Sequence, residues 1–487
     1  MRSQDPCRSD PDPERSAAAP WWSRPERWFL LVAVPFGLAF ALLTPPGQFA
    51  DEAHNFRRAY QVSTGVWLGE KWQNEQGRWL AGGVLPRSVV ELSRATRHIP
   101  FHPEQKIRAE EIRALFDVPL APDVTERVNF WNTALYSPVP YASQALGIAV
   151  GRLFDASPVS LMLLARLFGL AFCIGVSFAA IRTTPFAAWG FTVLALFPQA
   201  LFYMASPAAD GVVGALSRLW LALALRWAFT AGGPIRGTVL AALAALGALV
   251  ALCKQVYVLL PAAIFLLPAD RLGGRRGWLL KSAGVYCAVL LPWAAWSFLA
   301  TSISVPPVPK PEVDPTEQLA LVLGDPFGFA ALVGRFAIVR LPQILVETTN
   351  SLGWLDVPLP GWIVPTTLAA IAVALVLDRS GEIRFTPLQR LGALGIVLGT
   401  VVGAALALYL FWTPPGAPTV YGFMGRYLYP VAPLLLVVAA NPPVPASWSP
   451  FWNRMVERVA PFLPVVLAVV FVAGNATAVA RLIERYY

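Results

Sequence analysis

The residues best suited to chemistry stand together in Asp51-Glu52-Ala53-His54-Asn55-Phe56-Arg57-Arg58-Ala59-Tyr60, just after the chain's first apolar stretch. Two carboxylates at the mouth of a membrane helix, followed by His54, Arg57 and Tyr60 at helical spacing, can meet a ligand at the lipid–water boundary. A carboxylate placed there can act as a general base. Asp51 and Glu52 equally suit the cap and first turn of a helix that begins at this point, and the two roles are compatible. A third acid, Asp210, follows Ser206-Pro207-Ala208-Ala209 at the start of an apolar segment, as a second site carboxylate or as an N-cap. Arg166, Arg218 and Lys254 fall within or between apolar segments. A charge there is costly unless it pairs or lines a polar cavity, so all three are expected to point into the protein. Arg166 and Arg218 suit structural ion pairs as well as ligands, whereas Lys254, a lone ammonium between two short apolar segments, suits a phosphate. Arg426, between Gly425 and Tyr427 ahead of another apolar segment, suits a lipid phosphate or snorkelling to headgroups.

Only a membrane can position such residues in this chain. Of its 487 residues 56% are hydrophobic and 14% charged, with a mean hydropathy of +0.55. A typical globular protein is about 25% charged, so a soluble enzyme is excluded. The net charge of +9 does not mark a nucleic-acid binder, because acids and bases cancel in residues 1–27 and 44–136. The surplus lies beside or within apolar segments, which is the positive-inside pattern. Cys7, Cys173, Cys253 and Cys287 have no paired spacing, so no disulfide framework or zinc site is indicated.

Residues 1–27 read as a disordered cytoplasmic tail and 28–487 as a single integral membrane domain. Apolar segments at 28–43, 159–181, 186–204, 211–231, 237–252, 254–269, 279–300, 361–377, 389–411, 427–440 and 461–480 predict about eleven spans in an all-α polytopic protein. The first reads as uncleaved, since its only small-x-small site, Ala39-Phe40-Ala41, lies inside the apolar run. Arg271, Arg275, Arg276 and Lys281, then Arg379, Arg384 and Arg390, then Arg454 and Arg458, mark cytoplasmic connections. That parity puts the N-terminus inside and the C-terminus outside, with the large polar loops 44–158 and 301–360 outside, provided 137–153 is re-entrant or interfacial. His54, His98 and His102 all belong to the first loop, which is expected to form short helices lying on the membrane. The chain shows no internal repeat, Walker motif or Rossmann fingerprint.

The run Pro45-Pro46…Asp51-Glu52-Ala53-His54…Arg57-Arg58-Ala59-Tyr60, with Tyr136-Ser137-Pro138-Val139-Pro140-Tyr141, Ala165-Arg166-Leu167, Ser206…Asp210, Cys253-Lys254, Gly353-Trp354-Leu355-Asp356 and Gly425-Arg426-Tyr427, resembles a bacterial domain-of-unknown-function family of predicted multi-pass membrane proteins. That family is in turn similar to the GT-C superfamily of membrane glycosyltransferases. The resemblance implies transfer of a sugar from a polyprenyl-phosphate carrier to a glycan, lipid or protein acceptor, on the outer face of a bacterial inner membrane. It puts the essential acid on Asp51, with Glu52 beside it and Asp210 as the second acid. Lys254, Arg426 and Arg57 would bind the donor phosphate, and His54, Arg166, Arg218, Tyr141 and Tyr427 are further site candidates. Asp51, Glu52, His54 and Asp210 could offer hard ligands to Mg or Mn, with Asp51 and Asp210 the main pair, and metal dependence stays open. The chain ends at Tyr487 without the large soluble C-terminal domain of oligosaccharyltransferases, which favours a lipid or polysaccharide acceptor. A transporter or flippase of lipid-linked saccharides is the alternative: it would explain Arg166 and Arg218, but calls for paired halves that the sequence lacks. The acids and cations are expected to converge on one cavity, walled by the first loop and by the span ends near Asp210, Lys254 and Arg426.

Overall fold

The computed structural model describes residues 21–230, 232–306, 312–377, 383–440, 451, 454 and 458–487. Most of the expected N-terminal tail, residues 1–20, lies outside them, as does Arg379. The apolar run of helix α1 (Pro25–Leu43) ends at Thr44, and the turn through Pro45-Pro46-Gly47 delivers the chain to α2 (Glu52–Ser63). A three-stranded antiparallel sheet follows, β1 (Glu70–Gln73), β2 (Trp79–Pro86) and β3 (Thr125–Asn129), with α3 (Arg87–Ala95) and α4 (Ala109–Phe116) between β2 and β3. The first loop is therefore not made of short helices alone. Its sheet depends on close backbone approach: a Cβ on Gly82 would lie 2.1 Å from the Val128 carbonyl oxygen. Beneath the sheet Phe56, Tyr60, Leu85, Val89, Phe130 and Tyr141 form a core of their own.

The short α5 (Trp131–Ala134) and α6 (Ala142–Arg152) lead into α7 (Pro158–Thr183). At 11 residues α6 is too short to cross a membrane. It folds back against the start of α7, where a Cβ on Gly147 would sit 2.6 Å from the Leu164 carbonyl oxygen. The helices α8 (Ala188–Leu196) and α9 (Pro198–Met204) are separated at Pro198, whose ring cannot continue the preceding helix. Then come α10 (Ala209–Phe229), α11 (Gly237–Cys253), a 3-10 helix over Gln255–Leu266, and α12 (Gly274–Thr301). At about 2 Å of rise per residue, the 12 residues of that 3-10 helix reach about 24 Å. The second loop carries α13 (Pro315–Gly324) and α14 (Pro326–Thr349), bent by 104° and capped by Asp314 and Asp325, then the hairpin β4 (Ser351–Leu352) and β5 (Val357–Pro358). Helices α15 (Ile363–Leu377), α16 (Pro387–Trp412) and α17 (Ala432–Ala439) and the C-terminal helix Leu463–Tyr486 complete the fold.

Among the described residues six helices are long and apolar enough to cross a membrane: α1, α7, α10, α12, α16 and the C-terminal helix. Eleven spans were expected. The other five segments are helical but short: the broken α8–α9, α11 with 17 residues, the 3-10 helix with 12, α15 with 15 and α17 with 8. Burial ranks the long helices. In α10, 72% of the apolar window is buried, against 17% in α12 and 28% in α16, so α10 is central and the other two are peripheral.

One end of the bundle gathers the loops. The Tyr487 hydroxyl donates to the Leu43 carbonyl at 3.1 Å, the Trp354 indole to the Gly47 carbonyl at 3.0 Å, and the Ser137 hydroxyl to the Leu252 carbonyl at 2.7 Å. The last turns of α1, of α11 and of the C-terminal helix thus share a face with both polar loops.

Candidate active site

The site begins in the turn between α1 and α2. Gly47 takes φ +77°, and its N–H donates to Glu52 Oε2 at 2.7 Å. Asp51, the N-cap of α2, has φ +59°, a left-handed conformation that aspartate tolerates better than most residues. Its carboxylate makes no cap to the helix. It receives Arg426 instead, with Nη2 donating to Oδ2 at 2.6 Å. Burial pushes the Asp51 carboxyl up, but the Arg426 guanidinium outweighs it and holds the group below the usual aspartate value.

A second pair lies in the same cavity. Asp210 sits in the first turn of α10, and Lys254 occupies the extended break between α11 and the 3-10 helix. Lys254 Nζ donates to Asp210 Oδ1 at 2.6 Å, with the rings of Tyr136 and Tyr427 centred 5.8 Å and 5.4 Å from the ammonium. Both pairs line one cavity of about 570 Å³. Its remaining walls come from Asn55 of α2, Trp131, Asn132 and Tyr136 of the first loop, Ser297 and Thr301 of α12, Ala404, Ala407, Phe411 and Trp412 of α16, and Met424 and Tyr427 before α17. Two acids and two bases balance in charge. Asp51 keeps 31% of its side chain exposed while Asp210 keeps 5%, so Asp51 is the acid that a ligand in the cavity can reach.

The other expected site residues lie elsewhere. Glu52, adjacent to Asp51, is fully buried on the opposite face of the turn and belongs to Arg166: Nε donates to Oε1 at 2.7 Å and Nη2 to Oε2 at 2.8 Å. Arg166 also donates to the carbonyls of Ala41 at 2.8 Å, Thr44 at 2.7 Å and Pro45 at 3.1 Å, and so satisfies the open C-terminal end of α1. Glu52 and Arg166 are a structural clasp outside the cavity. Arg218 is buried within α10, donating to Ser177 Oγ at 3.0 Å, and does not reach the cavity. Arg57 turns to Ser93 Oγ at 2.5 Å and the Asn129 carbonyl at 3.4 Å instead of the cavity. Burial and the neighbouring Arg94 lower its pKa to about 10. His54 bonds through Nδ1 to Asn132 Oδ1, and burial keeps it below the usual histidine value. The Tyr141 hydroxyl donates to Asn55 Oδ1 at 2.9 Å, behind the cavity wall, whereas Tyr427 lines the cavity itself.

Sequence reasoning passed over Trp131, Asn132 and Trp412. Among 18 tryptophans nothing singles out two, and their meeting depends on a fold that joins the first loop to the end of α16. A divalent cation does not fit the acids present. Asp51 and Asp210 each already hold a cationic side chain, and among the described residues no group of three or more His, Cys, Asp or Glu could share a metal ion.

A family model described as a predicted membrane protein (DUF2142) matches residues 35–435. No curated protein matches the chain. No solved structure matches it either.

Proposed function

We propose, for a chain that belongs to the DUF2142 family of predicted membrane proteins, that the cavity is the active site of a membrane glycosyltransferase. The enzyme would move a sugar from a polyprenyl-phosphate carrier to a cell-envelope glycan, lipid or protein acceptor. The observation that carries the reading is the reachable carboxylate of Asp51, held by Arg426 in the same cavity as the Asp210–Lys254 pair. Support for a lipid-borne donor comes from the peripheral helix α16, which lines the cavity with Ala404, Ala407 and Phe411. In this reading all eleven apolar segments lie within a bacterial inner membrane, six of them in helices long enough to cross it alone, and the cavity opens on its outer face.

The acceptor hydroxyl attacks the anomeric carbon, and its proton passes to Asp51. The bond between that carbon and the phosphate oxygen breaks, with the electron pair left on the phosphate, and attack from the opposite side inverts the configuration. Arg426 and Lys254 meet the charge that develops on the phosphate. Arg426 then serves twice. At rest it keeps Asp51 ionised, and as it turns toward the phosphate it releases the carboxylate to become a stronger base. Asp210 holds Lys254 in place, and Glu52, Arg57, Arg166 and Arg218 take no part in the chemistry.

The test is transfer of radiolabelled sugar from polyprenyl-phosphate donors in membranes holding equal amounts of the wild type or Asp51→Asn. A loss of orders of magnitude in the variant supports the reading. Equal transfer by both removes Asp51 from the mechanism, and no transfer by either across a broad donor panel moves the assignment to transport of lipid-linked saccharides.

A further inference from the structure

Trp131 and Trp412 are stacked with ring centroids 5.7 Å apart and planes 17° from parallel, and both line the cavity. They reach it from unrelated directions. Trp131 opens α5 directly after β3, with its N–H donating to Asn129 Oδ1 at 3.2 Å, while Trp412 is the last residue of α16. The Trp412 indole lies against bare backbone. Gly422 has φ +77°, and a Cβ there would stand 2.5 Å from Trp412 Cδ1. Both indoles are half-buried, in contrast to Trp220, which is fully buried in the bundle. The polar groups of the cavity include Asn132, beside Trp131, and, on α12, Ser297 Oγ, which is buried without a hydrogen-bond partner.

This mixture selects a kind of ligand. An aromatic face carries negative charge and attracts the weakly positive C–H bonds of a ring laid against it. A saccharide ring offers such a face together with a rim of hydroxyls, and the hydroxyls need donors and acceptors in place of water. An isoprenoid chain has no use for Asn132 or Ser297. It is matched better by the stripe Ala404, Ala407 and Phe411, which shares one side of α16 and runs back along that helix from Trp412. We propose that the Trp131–Trp412 pair is a saccharide-binding platform, on which a sugar ring stacks while Asn132 and Ser297 take its hydroxyls. The inference rests on the glycosyl-transfer reading and deepens it. The ring could belong to the donor or to the acceptor, and the chemistry is the same.

The purified full chain in lipid nanodiscs is titrated with a panel of methyl glycosides and, separately, with sugar-free polyprenyl phosphate. Saturation-transfer NMR reports which ring protons touch the protein. The wild type is expected to bind at least one glycoside through its C–H face, and Trp131→Ala or Trp412→Ala to weaken it about tenfold, the worth of one aromatic contact. Trp131→Phe and Trp412→Phe should keep most of the affinity, which guards against variants that merely misfold. In the transfer assay, a raised KM for the acceptor assigns the platform to the acceptor sugar, and a raised KM for the donor assigns it to the donor sugar. Absence of glycoside binding, or binding indifferent to both alanine variants, overturns the platform. So does loss of the sugar-free carrier in place of the glycoside, which would make the pair a lipid contact. Because binding is read without turnover, it can fail while Asp51-dependent transfer succeeds, and the reverse.

Discussion

Arg426 Nη2 stands 2.6 Å from Asp51 Oδ2, although 375 residues separate the two in the chain. Each residue is restrained by its own element, Asp51 by the left-handed turn before α2 and Arg426 by the short 3-10 turn Gly425–Leu428 ahead of α17. A Cβ on Gly425 would lie 2.5 Å from the Thr348 backbone nitrogen, so α14 packs directly on that turn. The ion pair therefore joins the first loop, the second loop and the last third of the chain at one point.

Arg426→Gln should separate the two roles of this arginine. Without the guanidinium, burial is opposed only by His54 and Lys254, the lesser influences, so the Asp51 pKa rises from its wild-type position and the carboxylate must lose a proton at higher pH before it can serve as a base. The acidic limb of the pH–rate profile for sugar transfer should move to higher pH, and the maximal rate should also fall because the phosphate loses a partner. A profile that keeps its acidic limb would show that Arg426 does not tune Asp51.

The acids at the ends of apolar segments were legible in the sequence because a charge at such a place has few explanations, and Asp51, Asp210, Lys254 and Arg426 do meet in one cavity. Glu52 was not separable from Asp51 by type. Asp51 takes the left-handed cap and Glu52 opens α2, so one side chain faces the cavity and the next faces Arg166, and only the fold says which. Composition likewise announced a helical membrane protein but not the sheet of the first loop. β2 pairs across Gly82 and Gly83, and adjacent glycines read as a turn. The shortness of several segments was legible in their bounds, but their breaks were not: Pro198 and Pro261 alter the local helix without altering its apolar composition.

Glu52→Gln and Arg166→Met should damage stability more than activity per folded molecule. Either change leaves a charge buried at 0% exposure without its partner, which typically costs about 3–5 kcal/mol. The paired replacement of both by apolar residues of similar size should recover much of that loss. Thermal unfolding of the four proteins in detergent reads the coupling directly, and additive losses in the double variant would show that Glu52 and Arg166 do not act as a clasp.

Lys254→Met should behave differently, because Asp210 is left nearly buried in the cavity wall and the phosphate loses a cation. Adding Asp210→Asn removes the stranded charge and should restore the folded yield without restoring transfer. If the double variant transferred sugar at the wild-type rate, the pair would be structural only, like the Glu52–Arg166 clasp.

The C-terminal helix makes the last testable link, since Arg485 ties three segments of the loop face together. Its Nη2 donates to the Ile99 carbonyl at 2.7 Å and to Asp356 Oδ2 at 2.9 Å, and its Nη1 to the Gln105 carbonyl at 3.1 Å. Asp356 in turn receives the Trp354 N–H at 3.0 Å, and the Trp354 indole holds the Gly47 carbonyl at 3.0 Å, four residues from Asp51. Arg485→Gln should therefore loosen the segment around residues 99–107 and, through Trp354, the turn that sets Asp51. Limited proteolysis should cut the first loop faster than in the wild type while the spans stay protected. Transfer should fall through kcat more than through KM, because the base is misplaced while the cavity still binds. Unchanged cleavage would mean that the neighbouring Tyr486 and Lys106 contacts hold the loop without the arginine.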